Sequence, residues 1–230
     1  MSLAPGLAEV LEIELNEQGT KDTFYMIFDH KGQKIRPYPK PLPFPVVFEH
    51  CKVSTPTERM ELNDRFSSLQ IAKKEKVLVN ALNIIEPKLK DITIIQKGQE
   101  GFLFGDIGAK KRIPLHLMGA GMVNLANYIL AIWQASNGVV LIDEIENGFH
   151  YSVLPDVWKV IEQTARKFNT QVFVSTHSFE NIVAAHNTFS KSENYDFKLY
   201  RIEQSGLESR AIGYTKDTLK LAIDNKFEVR

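Results

Sequence analysis

The sequence has a single cysteine, no long apolar run and no excess of charge of either sign. Because a disulfide needs two cysteines, Cys51 excludes an internal disulfide and suits a reducing compartment, so we expect a cytoplasmic protein. No apolar run reaches the roughly 18–20 residues of a membrane span. The start, MSLAPGLAEV, lacks the basic and apolar regions of a secretory signal. Basic and acidic residues number 28 each, which gives no general attraction to nucleic acid or anionic membranes.

The remaining composition is that of a soluble globular chain. Of 230 residues, 43% are hydrophobic and 24% are charged, which is enough apolar surface to bury a core. One stretch, RPYPKPLPFP (36–45), has five prolines in ten residues. We interpret it as a stiff connection that leads into a strand. A polyproline ligand for a partner's aromatic groove is the alternative.

The first half of the chain combines strands with helices. Residues 8–15 and 23–30 are apolar-rich and flank a turn-like segment, so they predict two strands. From residue 54, Ser and Thr precede acids as at a helix start, and 73–87 has apolar residues at helical spacing. We therefore predict a β-rich remnant of an N-terminal lobe over 1–55, and a helical region with a strand hairpin over 56–112.

From residue 113 the pattern changes to alternating strands and helices. Two continuous apolar strands, VVLID and QVFV, flank a helix with a periodic apolar face. This arrangement predicts a right-handed βαβ unit in a parallel sheet. The predicted fold class is α/β, with a mostly parallel sheet flanked by helices over 113–230. The β-rich piece and a helical insertion precede it.

Polar residues follow both apolar strands directly. Asp143 and Glu144 end the first strand, with Glu146 close behind, and the segment Ser175–His177 ends the second. In open α/β sheets the ligand crevice lies at the carboxyl ends of the strands, so both segments are expected at a site. The acids have three interpretations: they act on a nucleotide's magnesium, they hold a metal directly, or they form a polar end to a buried strand.

A glycine-flanked turn, Gly119–Gly121, opens the helix before the first of these strands. The free N–H groups and positive dipole end of a helix start suit phosphate oxygens. An acid at a strand end can hold the hydration shell of Mg²⁺. A second acid can deprotonate an attacking water, and a histidine can contact a γ-phosphate. Together these pieces suit the hydrolysis of a nucleoside triphosphate.

These motifs, in this order, resemble those of the ABC-type ATPases. Residues 113–230 are similar to the C-terminal half of bacterial predicted ATPases related to the OLD, RecF and SMC chromosome-maintenance proteins, which are P-loop NTPases with an AAA-type domain. VVLIDE resembles a Walker B strand, ENGFH a D-loop, VSTHS a switch-histidine strand and LMGAGM a signature motif. The helices of 56–87 resemble the arm region that this family inserts before its signature.

The resemblance implies a site and its ligands. It makes Glu144 the catalytic glutamate, His177 the γ-phosphate sensor and Asp143 the acid that holds Mg²⁺ through water. Nucleotide contacts would come from the signature, the magnesium acid and the D-loop histidine: Gly119, Ala120, Gly121, Met122, Asp143 and His150. The implied cofactors are ATP and Mg²⁺. The implied assembly is a homodimer of heads closed around ATP, with DNA or a nuclease effector as a candidate further partner and no membrane.

Three departures from the family pattern bear on activity. Gly119 stands where the signature serine is usual, and Val123–Asn124 stands where relatives often carry two arginines. No GxxxxGK[ST] phosphate loop occurs in the 230 residues, although relatives place one near their N-terminus. We therefore expect a truncated C-terminal portion of a larger protein, inactive in isolation because it has no Walker A segment. A natural loss of the loop is the alternative.

Two other function classes stay open. The chain could be a non-catalytic binding or scaffold module, half of a split or degenerate ATPase, which a phosphate loop encoded upstream would exclude. It could also be a metal-dependent nuclease that uses Asp143, Glu144, Glu146 and His150 directly, which nuclease activity with Mn²⁺ and without ATP would support. His150 itself could reach across a dimer interface or cap the helix that follows it.

Overall fold

The computed structural model describes residues 7–17, 20–29, 36–38, 44–50, 56–98, 100–205 and 208–229. The chain has two compact units, Met1–Val46 and Val47–Arg230. Strand β4 (Val46–His50) joins a sheet with strands of the second unit, and the boundary expected after residue 55 stays a prediction. The predicted regions 56–112 and 113–230 share one hydrophobic core. Cys51 and residues 39–43 of the proline-rich stretch lie outside the described residues.

The first unit contains a three-stranded antiparallel sheet. β1 (Leu7–Glu17) pairs with β2 (Thr20–Asp29), which confirms the two N-terminal strands predicted from the sequence. β3 (Arg36–Tyr38) pairs with β2 at the edge of the sheet. The start of the proline-rich stretch is therefore a strand, where an edge position tolerates the missing N–H of Pro37.

The helices described in the second unit lie between Pro56 and Asp224. They are α1 (Pro56–Ile71), α2 (Glu75–Leu82), α3 (Ala120–Gln134), α4 (Leu154–Phe168), α5 (Phe179–Ser190) and α6 (Lys216–Asp224). Short 3-10 helices at Leu115–Met118 and Tyr151–Val153 precede α3 and α4. No helix among the described residues has both the length and the apolar character needed to cross a membrane.

The strands of the second unit form three small sheets. β4 lies beside β8 (Val139–Asp143), which lies beside β9 (Gln171–Val174). The others are β5 (Asp91–Lys97), β6 (Glu100–Asp106) and β7 (Ile113–Pro114) in one antiparallel sheet, and β10 (Leu199–Ser205) with β11 (Glu208–Tyr214) in an antiparallel hairpin. The hairpin predicted within 56–112 is confirmed as β5 and β6.

Strands β8 and β9 run parallel, with Val139 opposite Gln171 and Ile142 opposite Val174. Helix α4 connects them, so the predicted βαβ unit is present. α4 begins with Pro155 in its first turn and ends at Asn169 in the left-handed conformation, with an apolar stripe packed inward. The α/β fold class is therefore confirmed. Strands β8 and β9 form a parallel pair, whereas β1–β2, β2–β3, β5–β6, β6–β7 and β10–β11 are antiparallel pairs.

Helix α3 is the centre of the core. Most of its residues are buried, including Met122, Leu125, Tyr128 and Ile132. It packs against α1 and α2, and also against α4 and β8. A helix that is apolar on nearly every side is stable only when covered all round. α3 therefore fixes its own amino end, the glycine turn, relative to the ends of β8 and β9.

Candidate functional site

The carboxyl ends of β8 and β9 lie side by side, as the sequence predicts for a parallel pair. Beyond the strands, the Ser175 N–H donates to the Ile142 carbonyl at 2.9 Å, and the Ile145 N–H donates to the Ser175 carbonyl at 3.2 Å. The two chain segments therefore stay joined for one more residue on each side. This brings Asp143 and Glu144 against the segment that contains Ser175 and His177.

The Ser175 side chain joins both acids. Its Oγ accepts a hydrogen bond from the Glu144 N–H at 2.9 Å and donates one to Asp143 Oδ1. Glu144 has φ 49°, in the left-handed region that non-glycine residues rarely adopt. Such outliers concentrate at functional sites, where surrounding contacts hold them in place. The strand end is thus more constrained than a simple polar cap requires.

The Glu144 carboxylate is half-buried and turned back toward its own loop. Asn147 Nδ2 donates to Glu144 Oε2 at 2.7 Å, and the Asn147 N–H donates to the Glu144 carbonyl at 3.0 Å. The Asn147 amide bonds Oε2 and leaves the other carboxylate oxygen, Oε1, on the far side of that contact. A carboxylate oriented in this way is able to accept a proton from a water molecule.

Glu146 connects the acid loop to the predicted sensor histidine. Its Oε1 accepts a hydrogen bond from the His177 N–H at 2.9 Å. Its Oε2 is buried with no hydrogen-bond partner among the described residues. The His177 side chain is exposed, so its ring does not serve as core packing. The structure thus places the backbone of His177 beside Glu146 and leaves the ring at the surface of the site.

A buried polar chain anchors the loop that carries His177. Trp158 Nε1 donates to Asn181 Oδ1 at 2.8 Å, and Asn181 Nδ2 donates to Thr176 Oγ1 at 3.1 Å. Asn181 is fully buried at 0% exposure. Ser178 caps α5, since its Oγ accepts from the Asn181 N–H at 3.1 Å. The loop between β9 and α5 is therefore fixed from inside the fold.

The glycine turn lies against the loop after the acids, not against the acids themselves. A Cβ on Gly121 would lie 2.9 Å from the Gly148 carbonyl oxygen, and a Cβ on Gly148 would lie 2.8 Å from Asn124 Nδ2. Gly148 has φ 80°, which also favours glycine. Asn124 Nδ2 donates to the Asn147 carbonyl at 2.8 Å. Asn124 thus ties the helix start to this loop.

The predicted nucleotide contacts at the start of α3 differ in accessibility. Gly119 and Ala120 are exposed, and Gly119 has φ 118° with open space around it. Gly121 is buried against Gly148. The Met122 side chain is 1% exposed and belongs to the core. The Met122 N–H donates to the Gly119 carbonyl at 3.2 Å, so both its side chain and its backbone donor are engaged inside the fold.

His150 adopts the capping role that the sequence offered as one of two alternatives. Its Nδ1 accepts from the Ser152 N–H at 3.4 Å and lies 2.9 Å from Ser152 Oγ. Its ring packs on that of Tyr151 with centroids 4.3 Å apart. The residue is exposed, so this contact occupies one ring nitrogen at the surface.

The acids fit a magnesium ion held mainly by water and phosphate. Mg²⁺ keeps several waters and is usually bound through one or two carboxylates. Asp143 offers one half-buried carboxylate at the strand end. Within the described part of the chain, no group of three or more His, Cys, Asp or Glu side chains lies together as a set of metal ligands. The donor set suits water-mediated Mg²⁺ better than a protein cage.

Sequence reasoning gave several residues of this site no role in ATP hydrolysis. Ser175, Asn147 and Glu146 each bond a predicted site residue, and Asn181 anchors the loop from a helix. Ser175 and Glu146 lie inside the quoted motifs, so their positions beside the acids were an available signal. Asn181 had no such signal, because its partner Trp158 lies 23 residues away.

One family of known proteins matches the part of the chain that contains these residues. The AAA ATPase domain family matches residues 49–182, more than half of the chain. The chain is also similar to an ATP/GTP phosphatase of Helicobacter pylori (strain ATCC 700392 / 26695), with 25% identity over 173 residues. That match covers 73% of this chain and 44% of the relative. The chain thus spans less than half the length of the curated relative it matches.

Solved structures with distant likeness are heads of SMC proteins. The SMC head domain from Thermotoga maritima has 12% identity and a TM-score of 0.49, covering 90% of this chain and 74% of that chain. An SMC ATPase, from work on ATP-driven dimerization and DNA-stimulated activation, has 11% identity and a TM-score of 0.48. It covers 73% of this chain and 98% of that chain.

Proposed function

Because the chain belongs to the AAA ATPase domain family, we propose that it carries the Walker B, signature, D-loop and switch elements of an ATP-hydrolysing, ABC-type head of the OLD, RecF and SMC group. The family is one of ATPases, and the relative from Helicobacter pylori is named an ATP/GTP phosphatase. The proposal adds the site residues, the Mg²⁺ and the head dimer to that general activity.

One observation supports the proposal most strongly. The ends of two parallel strands bring Asp143, Glu144 and the His177 loop together, and Ser175 bonds both acids. Ligands of open α/β sheets bind at this edge. The roles then follow from chemistry. Asp143 would hold Mg²⁺ through water, Glu144 accepts the proton of the attacking water, and His177 donates a hydrogen bond to the γ-phosphate.

The bound Mg²⁺ would neutralise charge on the phosphate oxygens. The protein residues do the remaining work. Asn147 orients the Glu144 carboxylate through its 2.7 Å hydrogen bond, and Glu146 holds the His177 backbone through its 2.9 Å bond. These contacts keep the base and the histidine in place before the substrate arrives, which lowers the reorganisation needed in the transition state.

The exposed Gly119–Ala120 turn has a separate role in this proposal. It contacts the loop after the acids on one side and is open to solvent on the other. A helix start with free N–H groups is able to bind a phosphate presented by another molecule. We therefore assign it to the nucleotide of a second copy, in a homodimer of heads closed around ATP. DNA or an effector protein is a proposed further partner of that dimer.

The alternative functions meet specific obstacles. The nuclease hypothesis needs Asp143, Glu144, Glu146 and His150 around one metal, but Glu146 bonds the His177 N–H and His150 bonds Ser152. The scaffold hypothesis keeps the dimer and removes hydrolysis. It is favoured by the absence of GxxxxGK[ST] from the 230 residues. The bonded and strained arrangement of Glu144 favours catalysis.

The test is Asp143→Asn in the product of the complete gene, assayed for ATP hydrolysis with Mg²⁺. The variant is expected to lose turnover while keeping its melting temperature, because an amide replaces a carboxylate of the same shape at a half-buried site. Glu193→Gln, an exposed acid far along the chain from the strand ends, is the matched control. Wild-type protein that cleaves nucleic acid with Mn²⁺ and never hydrolyses ATP would replace this proposal with the nuclease.

A further inference from the structure

We propose that Ser175 is a positioning residue that holds the magnesium acid and the general base in register, an inference that rests on the proposed function. Its hydroxyl contacts both residues at once: it donates to Asp143 Oδ1 and accepts from the Glu144 N–H at 2.9 Å. The switch-histidine motif VSTHS gives a role to His177 and none to the Ser175 side chain.

The hydroxyl group suits this double contact chemically. A serine Oγ has one hydrogen to donate and lone pairs to accept, so it satisfies a carboxylate and an N–H together. Alanine would remove both bonds, whereas threonine would keep the hydroxyl. Because Ser175 is exposed, the added methyl group of threonine has room. The pair of substitutions thus separates the hydroxyl from the rest of the side chain.

The hydrogen bond from Glu144 to Ser175 stabilises an unusual backbone conformation of Glu144. Glu144 has φ 49°, a conformation that costs free energy for a residue with a side chain. In this conformation the Glu144 N–H donates a hydrogen bond to Ser175 Oγ. Without the acceptor, Glu144 is free to relax toward ordinary backbone angles. Its carboxylate would then leave the orientation that Asn147 supports.

The contact to Asp143 controls metal binding in the same way. Groups that orient a metal-binding carboxylate typically change metal affinity or activity by roughly 10–100-fold when removed. Ser175 donates a hydrogen bond to the Asp143 carboxylate. Ser175→Ala should therefore raise the Mg²⁺ concentration needed for half-maximal turnover by about 10–100-fold. It should lower kcat while leaving KM for ATP nearly unchanged, because Ser175 contacts the acids and not the nucleotide.

The first experiment measures hydrogen exchange in the 230-residue chain without nucleotide or metal. Ser175→Ala should speed exchange in the peptide 140–147, which contains the Glu144 N–H, while Ser175→Thr keeps it slow. Ser209→Ala removes an exposed hydroxyl from another strand and should change nothing in that peptide. Unchanged exchange in Ser175→Ala overturns the inference, and so does equally fast exchange in Ser175→Thr.

The second experiment measures turnover against Mg²⁺ and ATP concentration in the product of the complete gene. Rescue of kcat and of the Mg²⁺ requirement by threonine but not alanine supports the inference. Wild-type-like turnover in Ser175→Ala overturns it. If the wild-type protein hydrolyses no ATP, the proposed function fails by itself. The exchange experiment then still decides whether Ser175 holds the Glu144 backbone.

Discussion

The segment that joins β9 to α5 has an exposed side and a buried side, and the two hold their polar groups differently. On the exposed side, Ser175 and the His177 N–H bond the acids that follow β8. On the buried side, Thr176 bonds Asn181, which bonds Trp158 in the core. Alternate residues of one short segment thus point to the site and to the interior.

This difference predicts which substitutions affect catalysis and which affect the stability of the fold. Exposed polar groups exchange their protein partners for water at little cost, whereas a buried polar group that loses its partner keeps the full desolvation penalty. Substitutions on the exposed side should therefore change turnover without unfolding the chain. Substitutions on the buried side should lower stability first. The following predictions test that separation.

The largest effect is expected for Glu144→Gln in the product of the complete gene. Removal of the general base should lower kcat by roughly 10²–10⁴-fold. ATP-driven dimerisation should persist, because the amide has the same shape and no charge to repel the γ-phosphate. Steady-state hydrolysis and size-exclusion chromatography with ATP measure the two outcomes. A variant that stays monomeric while the wild-type protein dimerises would contradict the assignment.

His177→Ala should have the next largest effect. A donor aimed at developing charge on a phosphoryl group contributes roughly 10²–10³-fold in kcat. The ring is exposed, so the melting temperature should stay close to that of the wild-type protein. The exposed His116, changed to Ala, provides the comparison for a histidine outside the strand ends. Loss of thermal stability with normal turnover per folded molecule would show a structural role instead.

Asn181→Ala tests the buried side. The substitution leaves Trp158 Nε1 without its acceptor and Thr176 Oγ1 without one donor. Asn181 is 0% exposed and Trp158 is 5% exposed, so water does not easily replace the lost partner. Leaving buried groups unpaired should lower the free energy of unfolding by about 1–3 kcal/mol. Urea denaturation measures it, with Asn187→Ala on the exposed face of α5 as the control. Equal stability of the two variants would contradict the comparison.

The sequence predicted the elements of the site better than its contacts. Alternation of apolar strands and periodic helices located β8, α4 and β9, and the polar strand ends located Asp143, Glu144 and His177. These signals are local, since each depends on residues close together in the chain. The left-handed Glu144 and its bond to Ser175 join residues 31 apart. No periodic pattern reports such a contact.

The glycine turn at the start of α3 also shows that the sequence predicts local elements but not their tertiary contacts. Its sequence predicted a helix start with free N–H groups, and α3 begins there at Ala120. Its close packing on Gly148 depends on the loop after β8, and the bond from Asn124 to Asn147 does too. Two glycines that meet across a tertiary contact carry no mutual signal in a single sequence. The hydrogen bond from Asn124 to the Asn147 carbonyl gives Asn124 a structural role that the sequence alone did not indicate.

The smallest effect is expected for His186, whose side chain is 5% exposed. It tests whether the buried pair of His186 and Tyr195 makes the free energy of unfolding depend on pH. His186 Nδ1 lies 2.9 Å from the Tyr195 hydroxyl. Burial lowers the pKa of His186, and the charges of Lys216 and Lys220 on α6 lower it further while Asp224 raises it. Burial also raises the pKa of Tyr195 to about 12, so its hydroxyl keeps its proton near neutral pH.

The sign of the effect follows from this lowered pKa. The unfolded chain takes up a proton at His186 near pH 6.5, before the folded chain does, so the free energy of unfolding should fall as the pH drops below about 6.5. Urea denaturation between pH 7.5 and 5.5 measures this slope. His186→Gln should flatten it, while Tyr195→Phe should lower stability at every pH and keep the slope, because burial of the histidine remains. A slope that survives in His186→Gln would assign the pH dependence to other groups.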